Sequence, residues 1–219
     1  YGKNGLTKEN GFNSQAEVLI YARLAASIVE ATPMDRPEWV AADTKGEYIY
    51  ATLTNNTKRT QSTESNPRVN NIYGHILRWK AKDNNHTSKE FSWDIFLLAG
   101  NPSKYPNDLR KGTSNINRDN MFNSPDGLKF DKFGRLWIQT DGKYSNSGDY
   151  EGMGNNSMLC ANPNTGEVRR FLSGPVACEV TGIAFSKDYT TMFVGIQHPG
   201  EGLAGSHYPN GGNSTPRST

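Results

Sequence analysis

Three times the chain sets an acidic residue before a short apolar run, then a turn, then a second apolar run. The copies open at Glu38-Trp-Val-Ala-Ala-Asp43, Asp126-Gly-Leu-Lys-Phe-Asp131 and Glu179-Val-Thr-Gly-Ile-Ala-Phe-Ser186. They continue into Glu47-Tyr-Ile-Tyr-Ala-Thr52, Arg135-Leu-Trp-Ile-Gln139 and Thr191-Met-Phe-Val-Gly-Ile196. A hairpin repeated with a carboxylate at its mouth predicts sheets arranged around an axis, as in a β-propeller. In that arrangement Glu38, Asp126 and Glu179 converge. Converging carboxylates repel unless a cation neutralises them, and grouped hard oxygens suit calcium or a similar ion. Glu179 stands two residues earlier than Asp126 relative to the next glycine. Side chains alternate along a strand, so a shift of two keeps the same face. Repeat geometry alone leaves the plainer alternative open: Asp126-Gly127 as turn chemistry, with Glu38 and Glu179 as solvated strand ends.

The rest of the chain fits a mainly β reading. Ser14 to Glu30 predicts a helix, with Ser14 and Glu17 as a capping box and Val18, Leu19, Ala22, Ala25, Ile28 and Val29 at helical spacing. Pro33 and Pro37 forbid its continuation. Beyond it, five hairpins are expected, at Trp39–Ala42 with Tyr48–Leu53, Gly74–Trp79 with Ser92–Leu98, Leu128–Phe130 with Leu136–Gln139, Ser157–Ala161 with Glu167–Phe171, and Ile183–Phe185 with Met192–Ile196. The polar stretches between them, residues 55–71, 101–123 and 144–156, read as loops, and the tail from Pro199 carries no strand signal. The expected organisation is therefore a polar segment with one helix over 1–32 and part of a propeller over 33–219. Taking four strands per blade, that part is an incomplete toroid of about three blades.

Several function classes have no support. Net charge is +2 and no basic stripe interleaves with aromatics, so nucleic acid is not expected as a specific partner. No run is long and apolar enough for a membrane span, and no signal peptide is visible. The Cys160 and Cys178 spacing is wrong for a zinc knuckle, which leaves a disulfide or two free thiols. There is no nucleophile elbow, phosphate-binding loop or dinucleotide fingerprint, so catalysis, if present, should be metal-based.

Three further places could carry chemistry. Arg36, rigidly joined to Glu38 through Pro37, could aim a guanidinium at a phosphate beside a metal carboxylate, or could pair with Asp35 or Glu38 at the surface. Asn66-Pro-Arg-Val-Asn-Asn71 offers amide oxygens for calcium and Arg68 for an anion, although Asn-rich turns are common. His198, leaving a strand in Ile-Gln-His-Pro-Gly200, could be a metal ligand, a proton donor or a structural hydrogen-bonding residue. Tyr73 and His75 should pack, and His86 and His207 should be solvated.

Five strings occur in order: Asp35-Arg-Pro-Glu-Trp39, Asn66-Pro-Arg followed by Asn71-Ile-Tyr-Gly-His-Ile76, Asn123-Ser-Pro-Asp-Gly-Leu128, Glu179-Val-Thr-Gly182 and Ile196-Gln-His-Pro-Gly200. Together, over roughly Pro33 to Arg217, they resemble the PhoX family of bacterial alkaline phosphatases. The resemblance implies a β-propeller phosphomonoesterase using calcium with iron, exported by the twin-arginine route and hence periplasmic or extracellular. It implies Arg36 as a contact to substrate phosphate and Glu38, Asn71, Asp126 and Glu179 as metal ligands, with Glu179 touching iron as well as calcium. The family's upstream region, with an iron-ligating cysteine and further acidic ligands, has no counterpart here, and neither cysteine matches that context. The expectation is a C-terminal part of the enzyme, inactive alone and holding metal weakly. Calcium-dependent lactonase propellers are also similar, around Ser124-Pro-Asp-Gly-Leu128 and Gly134-Arg-Leu-Trp137. A non-catalytic propeller scaffold is the third reading.

Overall fold

In a computed structural model, which describes residues 1–202, the chain divides into two compact units, Tyr1–Met34 and Asp35–Thr219. The tail over 203–219, including His207, lies outside the described residues.

The first unit holds α1 (Gln15–Ile20) and α2 (Ala22–Ile28) where the sequence predicts one helix. The break is a kink at Tyr21, whose backbone leaves helical geometry at φ −98 and ψ 39. The hydrogen-bond ladder runs through it: Tyr21 N donates to Glu17 O at 2.8 Å, and Ala25 N to Tyr21 O at 2.9 Å. Ser14 caps the first turn, accepting from Glu17 N. Glu17 reaches back to Asn13 N at 2.6 Å, one residue earlier than a capping box requires. Leu19, expected on the apolar face, is exposed, as is Val29.

The second unit is built of antiparallel strands, and all five expected hairpins form. They are β1 (Pro37–Ala42) with β2 (Tyr48–Leu53), β3 (His75–Ala81) with β4 (Phe91–Leu98), β5 (Pro125–Phe130) with β6 (Leu136–Thr140), β7 (Ser157–Ala161) with β8 (Val168–Ser173), and β9 (Glu179–Phe185) with β10 (Met192–Gln197). Pairing of β2 with β3 and β6 with β7 joins four of these hairpins into two four-stranded meanders, while β9 and β10 form a two-stranded sheet. No sheet among the described residues closes into a barrel.

Turn chemistry sets the registers. The Asp43 carboxylate accepts from Glu47 N at 2.8 Å while Gly46 takes a positive φ. Asp131, itself buried, accepts from Phe133 N, Arg135 N, the Arg135 guanidinium and the Trp137 indole, all between 2.6 and 3.0 Å. Burial alone would raise this carboxyl's pKa, but the donors together hold it below its ordinary value.

The main core lies between the two meanders and is filled by Tyr50, Tyr73, Ile76, Leu97, Leu136, Ile138 and Leu159. A second cluster, with Trp137, Met158, Cys178, Val180 and Ile183, joins the β5–β8 meander to β9 and β10. Strand β5 lies against β1 and β2, and β9 against β5 and β6, so the three acid-bearing strands stand side by side. Cys160 and Cys178 are free thiols, each with its pKa raised by burial, Cys178 to about 11.

The polar segment over 55–71 is folded inward. Ser65, Asn66, Arg68 and Asn71 are buried, and Asn56 bridges Asn71. Arg68, read as a possible anion ligand, instead donates to the carbonyls of Ala99, Leu109 and Gly74 and stacks near Tyr73. Both its terminal nitrogens are spent on backbone carbonyls. His75 and Tyr73 are fully buried, as expected, and His86 is exposed with its ring against Gly46 O.

Candidate metal centre

Each acid-bearing strand is entered in the same way. Arg36 (φ 54), Ser124 (φ 54) and Ala177 (φ 55) are non-glycine residues in the left-handed region, and each stands two positions before its carboxylate. Such a backbone turns the chain sharply at a local cost of about 1 kcal/mol or more, sustained by the surrounding packing. Registers then slip at the mouths. The β1–β2 pairing shifts between Pro37 and Val40, and the β5–β6 pairing between Pro125 and Leu128. A bulge of this kind re-aims side chains near a strand end. In β9 the irregularity lies past Val180, which leaves Glu179 paired with Gln197.

The entrances bring carboxylates together. Asp126, Asp141 and Glu179 each present an oxygen, and these oxygens all lie within 4.8 Å of one another. Glu38 is close enough to act as a like charge on both Asp126 and Glu179. Asp126 is half-buried, and its pKa is pushed up to about 7, first by burial and then by Glu38, Glu179 and Asp141; Arg36 pulls the other way. Glu179 is raised by burial and by Asp141, with His198 opposing. This is the electrostatic signature of a site short of positive charge.

The structure therefore groups Asp126 with Glu179, keeps Glu38 and Arg36 beside them, and places Asn71 differently. Asn71 Nδ2 donates to Asp35 Oδ2 at 2.8 Å and lies 3.1 Å from His75 Nδ1, while its Oδ1 accepts from Gly74 N at 3.0 Å. Its side-chain amide is engaged at both ends, the NH2 by Asp35 and the oxygen by the Gly74 backbone. Arg36 lies 4.0 Å from Glu38 and 57% exposed, and its Nη1 donates to Asn55 Oδ1 at 3.0 Å. His198, in a strained backbone of φ 34, holds Nε2 at 3.7 Å from Glu179 Oε2 and Nδ1 at 3.3 Å from Glu201 Oε2.

Sequence reasoning missed Asp141 and Asn55. Asp141 follows β6 directly in Thr140-Asp-Gly142, a pattern that reads as an ordinary turn. Its backbone N donates to Ser124 O at 3.0 Å, which carries the side chain to the mouth of β5. A second acid at the far end of the same hairpin was the available signal. A cleft of about 330 Å3 reaches this cluster at Asp141 and is lined by Arg36, Asn55, Asp141, Lys143, Tyr150 and His198 among others. Hard, closely set oxygens at one end and an exposed guanidinium beside them can hold cations and an anionic ligand together.

A search of curated proteins found no match. Among solved structures, the chain is similar to Pseudomonas fluorescens PhoX in complex with vanadate, a transition state analogue, at 57% identity and a TM-score of 0.94. The similarity covers 99% of this chain and 38% of that one. The family model of alkaline phosphatase PhoX matches residues 3–200. The match starts well before Pro33, so the kinked helical segment is family sequence as much as the strands are. Both comparisons agree with the ordered strings in the sequence: the chain belongs to the PhoX alkaline phosphatase family.

Proposed function

We propose that this chain forms part of the active site of a metal-dependent phosphomonoesterase, with Glu38, Asp126, Asp141 and Glu179 holding the cations and Arg36 meeting the substrate phosphate. One observation carries the reading: three carboxylates from separate strand ends share a space 4.8 Å across, with an exposed guanidinium alongside. The vanadate named in the similar structure as a transition state analogue supports phosphoryl transfer. The neighbouring inner strands β1, β5 and β9 support three blades of a propeller.

Calcium and iron are the cations proposed. The donor set fits hard, oxygen-seeking ions, which supply charge stabilisation to the phosphoryl transition state when bound. The chain's own residues do the rest. Arg36 offers forked N–H donors to two phosphate oxygens. His198, set between Glu179 and Glu201, restrains Glu179. Asn71 belongs to the wall, where it holds Asp35, and its hydrogen bonds favour that role over ligation. Because the chain spans only 38% of the similar structure, the remaining ligands would come from elsewhere in the enzyme, and the chain alone would be inactive. An exported location is proposed with the family; among the described residues no helix is long and apolar enough to cross a membrane.

The whole enzyme should hydrolyse a phosphomonoester such as p-nitrophenyl phosphate and leave a sugar lactone untouched. Arg36→Ala should raise KM for the ester by at least about tenfold, the worth of a charge-assisted contact. Lactone turnover, or a KM unmoved by the substitution, would remove the assignment.

A pH dependence follows from Asp126. Its proton is held up to about pH 7 in the folded, metal-free state, well above the ordinary carboxylate range. Between those values the folded state binds more protons than the unfolded one, so stability falls as pH rises. Thermal melts of the chelated enzyme should show Tm dropping from about pH 5 to about pH 7.5, and calcium should flatten the slope. A chelated Tm that rises across this window would contradict the carboxylate cluster.

A further inference from the structure

We infer that Asn55 is the positioning residue for Arg36, aiming the guanidinium at phosphate through an uncharged contact that leaves its positive charge available; this rests on the role proposed for Arg36.

A directed chain of hydrogen bonds carries the argument. Arg36 Nη1 donates to Asn55 Oδ1 at 3.0 Å, and Asn55 Nδ2 donates to Ser124 Oγ at 3.0 Å. Ser124 Oγ donates in turn to Asn123 Oδ1 at 3.0 Å. The direction is forced. A guanidinium can only donate, so Asn55 must turn its oxygen to Arg36 and its NH2 to Ser124. Ser124 then accepts at oxygen and spends its single proton on Asn123. Each member has one consistent orientation, so the amide is not free to flip.

The frame under this chain is rigid. Asn55 sits between two backbone anchors, Thr54 N to Arg36 O at 3.1 Å and Asn56 N to Asn71 O at 2.7 Å. Ser124 is buried, with its own N bound to Tyr73 O at 2.7 Å. Asn55 thus ties together the left-handed residues that open β1 and β5. Asn55 and Ser124 both line the cleft with Arg36.

The chemistry of the partner matters. A carboxylate here would aim Arg36 equally well but cancel its charge. An amide oxygen fixes the rotation of the guanidinium and leaves the remaining N–H groups for a dianion. The nearest carboxylate, Glu38, stands back at 4.0 Å. Positioning of this kind lowers the reorganisation needed when substrate arrives.

A double-mutant cycle in the whole enzyme tests this, with KM for p-nitrophenyl phosphate and Ki for inorganic phosphate as readouts. Asn55→Ala should raise both by about tenfold with kcat within about twofold, the size of a lost hydrogen bond to a charged group. Asn55→Asp should also raise both, by charge cancellation. In an Arg36→Ala background, Asn55→Ala should change neither, because its effect passes through Arg36. Ser124→Ala, which removes only the far anchor, provides a milder variant and should raise both by about threefold. A penalty that persists in the Arg36→Ala background, or an Asn55→Ala enzyme with unaltered constants, overturns the positioning role while leaving Arg36 in place. If Arg36→Ala itself moves neither constant, the proposed phosphate contact falls and the positioning role with it.

Discussion

Asp126→Asn in the whole enzyme should lower kcat by about a thousandfold, equivalent to about 4 kcal/mol of transition-state stabilisation, and reduce bound metal. The substitution keeps shape and removes charge. The backbone at this position is fixed independently, because Thr52 Oγ1 donates to Asp126 O at 2.7 Å. What is lost is one of three oxygens lying within 4.8 Å of one another. A neutral amide oxygen is a weaker ligand for a hard cation, and affinity in such sites follows ligand charge and rigidity. The metal-free variant should also be more stable than the metal-free parent above about pH 7, where the ionised parent carboxylate is repelled by Glu38, Glu179 and Asp141. Loss of activity with a gain in apo-stability separates a charged site from a merely structural one. Elemental analysis, steady-state kinetics and melts of chelated protein measure the three quantities; near-parental turnover with a full metal complement would take Asp126 out of the centre.

Asp35→Ala should destabilise the enzyme by about 3–5 kcal/mol, the range for removing one partner of a buried charged network. Asp35 is fully buried. Its carboxylate accepts from Asn56 Nδ2 at 3.0 Å, from Asn71 Nδ2 at 2.8 Å and from the Arg59 guanidinium, while its backbone N donates to Asn66 Oδ1 at 3.0 Å. Alanine would delete the acceptor and leave several donors facing an apolar methyl in a closed space. Because Arg36 is the next residue, the loss should loosen the entrance to β1 as well. Denaturant unfolding gives the stability, and a loss under about 1 kcal/mol would mean that the network is replaced by water at little cost.

The hairpins were legible because each strand carries an apolar run bounded by residues with definite turn chemistry, as at Asp43 to Gly46 and Asp131 to Gly134. What joins hairpins into meanders was not legible. The pairing of Leu53 with His75 spans a segment whose order depends on Asp35, Arg59 and Asn66 meeting across the fold, and no local pattern announces that. The same limit explains Asn71 and Arg68. Both sit in an Asn-rich string that reads as a polar loop with amide and guanidinium donors for a ligand, yet burial turns one into a network member and the other into a clamp on carbonyls. The acidic centre was partly visible because repetition marks it, in Glu38, Asp126 and Glu179. Asp141 escaped because it belongs to no repeat; it arrives from the end of β6, beside Ser124, by tertiary placement alone. The kink at Tyr21 likewise has no proline or glycine to flag it.

The matching left-handed steps at Arg36, Ser124 and Ala177 have a consequence for how such a centre can change over generations. One local device, used once per sheet, makes the carboxylate cluster modular. The copies differ in spacing, with Glu179 two residues earlier relative to its glycine, yet each keeps the same left-handed step two positions ahead of its carboxylate. Selection can therefore retune the charge or reach of a single arm without rebuilding the others.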